Sequence, residues 1–491
     1  MVISHFIQKI KAWLKCWAIA CLLMFCAPLL AQNIKINPAL VSGGDVTGFR
    51  ISPDGSRVVY WADQDTDGVR ELYSVPITGG ATTKLNSALV SGGVVFYARI
   101  SPDSSRVVYR ATQDTNTVRE LYSVPITGGA ATKLNPALIS GGWVFDWLIS
   151  PDSSRVVYSA DQDTDGIIEL YSVPISGGAT TKLNPAFVGG GNVNTFLISP
   201  DSNSVVYWAD QDTDEVLELY SVPIIGGAAT KLNSASVSGG SIGYHEISPD
   251  GSRVVFRAQD ALDVQELYSV PIAGGAATKL NPALVSDGDV IDFLINPNSS
   301  RVVYRADQDS DGIFELYSVP INGGAATKLN PALIGQKDVS IFRISPDGGR
   351  VVYRADQDSN EVFELYIVPI TGGAATKLNA TLVSGGDVAL DHKISPNDSC
   401  VVYRADQDTD GITELYRVSL NGGVATKLNS ALVSGGGTDY FEISSDGSRV
   451  VYRADQDTDD VFEVYTAEMD SCESSFFVIP TANGKTVIID L

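Results

Sequence analysis

The segment Ile51-Ser-Pro-Asp-Gly-Ser-Arg-Val-Val-Tyr60 returns with small changes at Ile100, Ile149, Ile198, Ile247, Ile295, Ile344, Ile394 and Ile443. Nine copies spaced 48–50 residues apart restrict the chain to folds that stack one supersecondary unit on itself. Each copy reads as four short strands separated by turn signals. In the first, Val46 to Ile51 forms strand A, and Ser52-Pro-Asp-Gly55 turns the chain into strand B, Arg57 to Ala62. An acidic loop leads to strand C, Glu71 to Ile77, and a Gly79-Gly80 turn leads to strand D, Ala81 to Leu85. Strands without helical periodicity between them predict an all-β chain, a single β-propeller of four-stranded antiparallel blades rather than a solenoid.

The repeat is offset from the ends of the chain in an informative way. Ile34-Lys-Ile-Asn-Pro-Ala-Leu-Val-Ser-Gly-Gly44 matches the end of a unit, and the ninth unit lacks such an ending after Met469. A ring uses that offset, because Ile34 to Asn37 then supplies strand D of the ninth blade and removes both free sheet edges. Nine blades are therefore predicted, with eight blades and a displaced unit as the alternative.

The flanks divide the chain into residues 1–31 as an export signal, 32–469 as the propeller and 470–491 as a tail. Lys9, Lys11 and Lys15 precede an apolar run from Cys16 to Leu30, ending at Ala31. Cleavage there predicts a periplasmic or extracellular protein, a monomer without a membrane span. It removes three lysines and no acid from a chain whose formal charge is already −24. So acidic a chain is a poor partner for nucleic acid and suits cations or basic partners. Of the five cysteines only Cys400 and Cys472 survive cleavage, and a disulfide between them is expected. In the tail, Ala482-Asn-Gly484 between two apolar runs predicts a β-hairpin.

Ser-Pro-Asp-Gly, a short apolar strand, an Asp-rich hairpin, Leu-Tyr-x-Val, a Gly-Gly turn and Lys-Leu-Asn together resemble the WD40-like (PD40) repeat of the TolB propeller family. The resemblance covers all nine units and implies a propeller of the periplasmic type.

Four of the loops between strands B and C carry alternating carboxylates and a mid-loop glycine, a pattern that can wrap oxygen ligands around Ca²⁺. They comprise Asp63, Asp65, Asp67 and Glu71; Asp161, Asp163, Asp165 and Glu169; Asp307, Asp309, Asp311 and Glu315; and Asp406, Asp408, Asp410 and Glu414. Hairpin turns favour the same residue types without any metal. A hairpin symmetric about residues 65 to 67 also predicts that Arg110 faces Glu120 and Arg305 faces Glu315, as cross-strand ion pairs.

Catalytic signatures are sparse. His245 and His392 occupy the strand-A position held elsewhere by Phe49, Trp147, Phe196, Phe293, Phe342 and Phe441, which predicts packing roles. No nucleophile elbow or Cys/His pair occurs, so catalytic residues are not assigned. The sequence therefore predicts a non-enzymatic exported scaffold that binds a protein or envelope macromolecule through an acidic loop face. A calcium-stabilised structural or adhesive module is the second expectation, and an enzyme using the central channel the third.

Overall fold

The computed structural model describes residues 34–139, 141–233, 242–259, 264–335, 337–469, 472, 476–480 and 486–490. The expected export signal and the Asn-Gly turn of the tail lie outside these residues. Nine four-stranded antiparallel sheets form a closed ring, and no helix occurs among the described residues. Strand A of blade 1 is Val46–Ile51, strand B Arg57–Ala62, strand C Glu71–Pro76, and strand D only Thr83–Lys84. The other blades repeat this plan.

The ring closes as the offset predicts. Ile34–Lys35 pairs with Glu463–Glu468, strand C of blade 9, with Ile34 opposite Thr466 and Lys35 opposite Tyr465. Asn37 then accepts the Val464 amide at 3.2 Å, and Ile36 is buried with Val451, Val464 and Ile77. Every blade interface has such a core. Strand B alternates so that Val58, Tyr60 and Ala62 face blade 9 while Val59 and Trp61 face blade 2. Both faces of each blade are thus buried, which is why these strands read as nearly continuous apolar runs.

Irregular repeat lengths have local causes. Strand A carries a bulge in every blade, as between Val46 and Gly48. In blade 8 the shift spans Val388 to His392, one residue more, and absorbs the extra residue of that unit. In blade 5 the hairpin from Ala258 to Glu266 is one residue shorter than that from Ala62 to Glu71.

The Ser-Pro-Asp turns also join neighbouring blades. Their fourth residue has positive φ, +69° at Gly55 and 61° at Ser104. A left-handed serine costs roughly 1–2 kcal/mol, but its hydroxyl accepts the Asp54 amide of the preceding blade at 2.9 Å. Ser153 and Ser202 do the same for Asp103 and Asp152.

Cys400, before strand B of blade 8, and Cys472, after blade 9, are joined with Cα atoms 5.6 Å apart, a spacing suited to a disulfide. The tail strands Phe476–Pro480 and Thr486–Asp490 pair with each other as a separate two-stranded sheet.

Candidate functional site

The hairpin register differs from the expected one by a single residue, and this reassigns every charge near the acidic loops. Glu71 lies opposite Ala62, and Trp61 opposite Leu72. A one-residue shift sends a side chain to the other face of the sheet. The expected pairs of Arg110 with Glu120 and Arg305 with Glu315 are therefore absent. Glu120 instead meets Lys133 of strand D at 2.8 Å, and Glu315 meets Lys328 at 2.5 Å. Glu71, Glu169 and Glu414 take Lys84, Lys182 and Lys427 in the same way. The arginines turn toward the next blade, where Arg110 donates to the Val144 carbonyl and Arg305 to that of Val339.

The four candidate calcium loops use their carboxylates separately. Asp63, Asp161, Asp307 and Asp406 each accept the backbone amide of the incoming connector, from Asp45, Trp143, Asp289 and Asp387. Asp65, Asp309 and Asp408 reach Lys84, Lys328 and Lys427. Asp163 occupies the equivalent loop position and is exposed, as are Asp67, Asp165, Asp311 and Asp410. The structure therefore spreads each loop's carboxylates over different partners. Among the described residues, the carboxylates close enough to share an ion are Asp455, Asp459 and Asp460, in a loop without the mid-loop glycine.

The histidines pack as expected. His245 is opposite Phe256 and His392 opposite Tyr403, both buried within the sheet stack.

The sequence reading passed over the axial face of the ring. Strand A is innermost, since the A strands of neighbouring blades contact one another. Just before its final isoleucine each of these inner strands carries one residue that is not fully buried. Around the ring these are Arg50, Arg99, Leu148, Leu197, Glu246, Leu294, Arg343, Lys393 and Glu442. From blade to blade this position changes among Arg, Lys, Glu and Leu, and that variation was the available signal. Four cations against two carboxylates also set the axis apart from the acidic exterior.

Three depressions border this face. One of about 280 Å³ is lined by Ser52, Pro53, Lys393, Glu442 and Ser445 from blades 1, 8 and 9. A second of about 270 Å³ lies among Arg50, Tyr97, Arg99 and Leu148. The third, about 340 Å³, includes Tyr244, Arg257, Asp292, Leu294 and Arg343. Between the first two, Arg50 donates to Glu442 Oε1 at 2.9 Å and to the hydroxyls of Tyr440 and Tyr97, both at 2.6 Å. Burial disfavours its charge, but Glu442 and the two hydroxyls more than offset this and hold Arg50 above its ordinary pKa. Burial lowers the pKa of Lys393, with Glu442 opposing and Arg50 adding to the shift. Lys393 lies over the Tyr440 ring, 5.1 Å from its centroid.

The fold defines a β-propeller whose inner strands carry an asymmetric set of charges. Residues 45–164, covering blades 1 and 2 and the inner half of blade 3, match the family described as the dipeptidyl peptidase IV (DPP IV) N-terminal region. The match thus points to peptidase propellers rather than to TolB-type repeats. Among curated proteins none matches the sequence. The structure of a eukaryotic initiation factor is similar over 78% of this chain and 87% of its own, at 11% identity and a TM-score of 0.53. A puromycin hydrolase S511A mutant complexed with PGG gives 15% identity and a TM-score of 0.44, over 73% of this chain and 58% of that one. A prolyl endopeptidase gives 12% identity and 0.46, over 75% and 55%. This chain spans little more than half the length of those two hydrolases, and at these identities the likeness concerns the fold.

The family match corrects the functional expectation. It relates residues 45–164 to the propeller region of a peptidase family and not to a non-enzymatic scaffold with an acidic docking face or to a calcium-stabilised module. The match is to the propeller region alone, and no hydrolase domain is included in it.

Proposed function

We propose that the chain is a peptidase-associated propeller whose axial channel takes up peptide substrates and holds them for hydrolysis by a separate catalytic unit. The match of residues 45–164 to the DPP IV N-terminal region carries this reading. The channel supports it, because Arg50, Arg99, Arg343 and Lys393 together with Glu246 and Glu442 provide both signs of charge, and Tyr97 and Tyr440 add aromatic surface and hydroxyl groups. An extended peptide offers carboxylates, amides and side chains to such a lining.

Fluorescence anisotropy with short labelled peptides of mixed charge tests the proposal. The chain is expected to bind them saturably, and Arg99→Ala combined with Lys393→Ala should weaken binding at least about fivefold through loss of charge-assisted contacts. Absence of binding, or binding indifferent to both substitutions, contradicts it.

A further inference from the structure

The sequence Tyr-x-Glu occurs at the inner end of strand A in two blades, as Tyr440-Phe441-Glu442 in blade 9 and Tyr244-His245-Glu246 in blade 5. The two copies are built alike. Tyr440 donates to Glu442 Oε1 at 2.7 Å and the Ile51 amide donates to Oε2 at 2.9 Å. Tyr244 donates to Glu246 Oε1 at 2.9 Å and the Ile295 amide donates to Oε2 at 3.0 Å. Arg453 and Arg257 stand behind them, each donating to carbonyls of the next strand A.

They differ in what the following blade contributes. Blade 1 sends the Arg50 guanidinium onto Glu442 and Tyr440, whereas blade 6 has Leu294 at that position. Among the described residues, Glu246 forms no salt bridge. The third acceptor of Arg50, Tyr97, is replaced by Ile341, so two of the three acceptors are kept. Arg343 in blade 7 takes the place of Arg99, and both line the neighbouring depression. Cations nearby do not prevent occupancy, since Arg50 shares the Tyr97 ring with Arg99 and the Tyr440 ring with Lys393.

We infer that Tyr244 and Glu246 form a binding site for a guanidinium group of a ligand, with Arg50 showing within the same molecule how such a group is held. Resting on the peptide reading above, the ligand is an arginine side chain of the substrate. A carboxylate oxygen and a phenol oxygen on one side of a planar fork match guanidinium better than a compact ammonium. The depression of about 340 Å³ bordered by Tyr244 and Leu294 gives the side chain its path.

The test titrates the full chain calorimetrically with N-acetyl-arginine amide and with its neutral isostere N-acetyl-citrulline amide. The arginine compound is expected to bind at one site and the citrulline compound at least about tenfold more weakly. Leu294→Arg should abolish binding by supplying the chain's own guanidinium, and Glu246→Gln should abolish it by removing the charge. Tyr244→Phe, a milder change, should weaken it a few-fold without disturbing the fold. Arg50→Leu should add a second site at Tyr440 and Glu442. No binding by the unmodified chain, equal binding of both compounds, or binding that survives Leu294→Arg overturns the assignment. Peptide uptake that ignores arginine overturns this site and leaves the channel reading standing. Binding of the arginine compound without uptake of any peptide does the reverse.

Discussion

Deleting residues 34–37 is expected to destabilise the ring by about 4–8 kcal/mol and to split its unfolding into more than one transition. Ile36 is 3% exposed and lies in the core between blades 9 and 1, and truncating such a side chain alone costs about 2–5 kcal/mol. The deletion also removes Lys35 from the buried Glu463 and takes Asn37 from the Val464 amide. An unpaired buried carboxylate adds a penalty of its own, moderated here because Lys35 is one third exposed. Ile36→Ala should reproduce the packing part of the loss. Equilibrium denaturation checks both, and an unchanged midpoint after the deletion contradicts closure by this strand.

The second large effect is a loss of stability in mild acid caused by two imidazoles. His245 and His392 are 2% and 1% exposed, and none of their ring nitrogens meets a partner at hydrogen-bonding geometry. Burial pushes the first down to about 4 and, with Arg343 and Arg354 adding to it, the second to about 3, and the Val206 and Val352 backbones offset this only in part. Both rings stay neutral in the fold while the unfolded chain takes up protons below 6.5. Stability is therefore full above pH 6.5 and is lost as pH falls toward 4 and 3. At about 1.4 kcal/mol per pKa unit the loss by pH 4 is on the order of 3 kcal/mol per histidine.

The aspartates of the A-to-B turns act in a different window. At Asp201, Asp250, Asp347 and Asp446 a serine hydroxyl is the leading cause of a lowered pKa. Their contribution is present above 3.8 and is lost only below it. Replacing both histidines with phenylalanine, the residue of five other blades, should flatten the stability curve from pH 6.5 to about 4.5. A variant that keeps the slope refutes the assignment.

Ring closure was legible because Ile34 to Asn37 matched the end of a unit that the ninth copy lacked. The packing of His245 and His392 was legible for a similar reason, since seven other units show what that position holds. The loop electrostatics were not. Symmetry about the acidic hairpin suggested Arg opposite Glu, but an even number of residues separates Ala62 from Glu71, so the centre falls between residues and Glu turns toward Lys84. Strand D shrank to Thr83–Lys84 because only Tyr73 and Ser74 pair with it. The axial residues were not legible from the shared repeat pattern, because Arg50, Leu294 and Glu246 matter through how the blades differ. Their significance depends on strand A facing the axis, which a single unit does not reveal.

Peptides are expected to enter the axial channel and not to dock on the loop face. Hydrogen–deuterium exchange with and without a bound peptide tests it directly, since the two surfaces lie on separate segments. Slowed exchange is expected in the inner strands Val46–Ile51, Val95–Ile100, Ile242–Ile247 and Thr438–Ile443, with the acidic loops unchanged. Protection confined to those loops, around Asp63 to Gly68 and their equivalents, would contradict it.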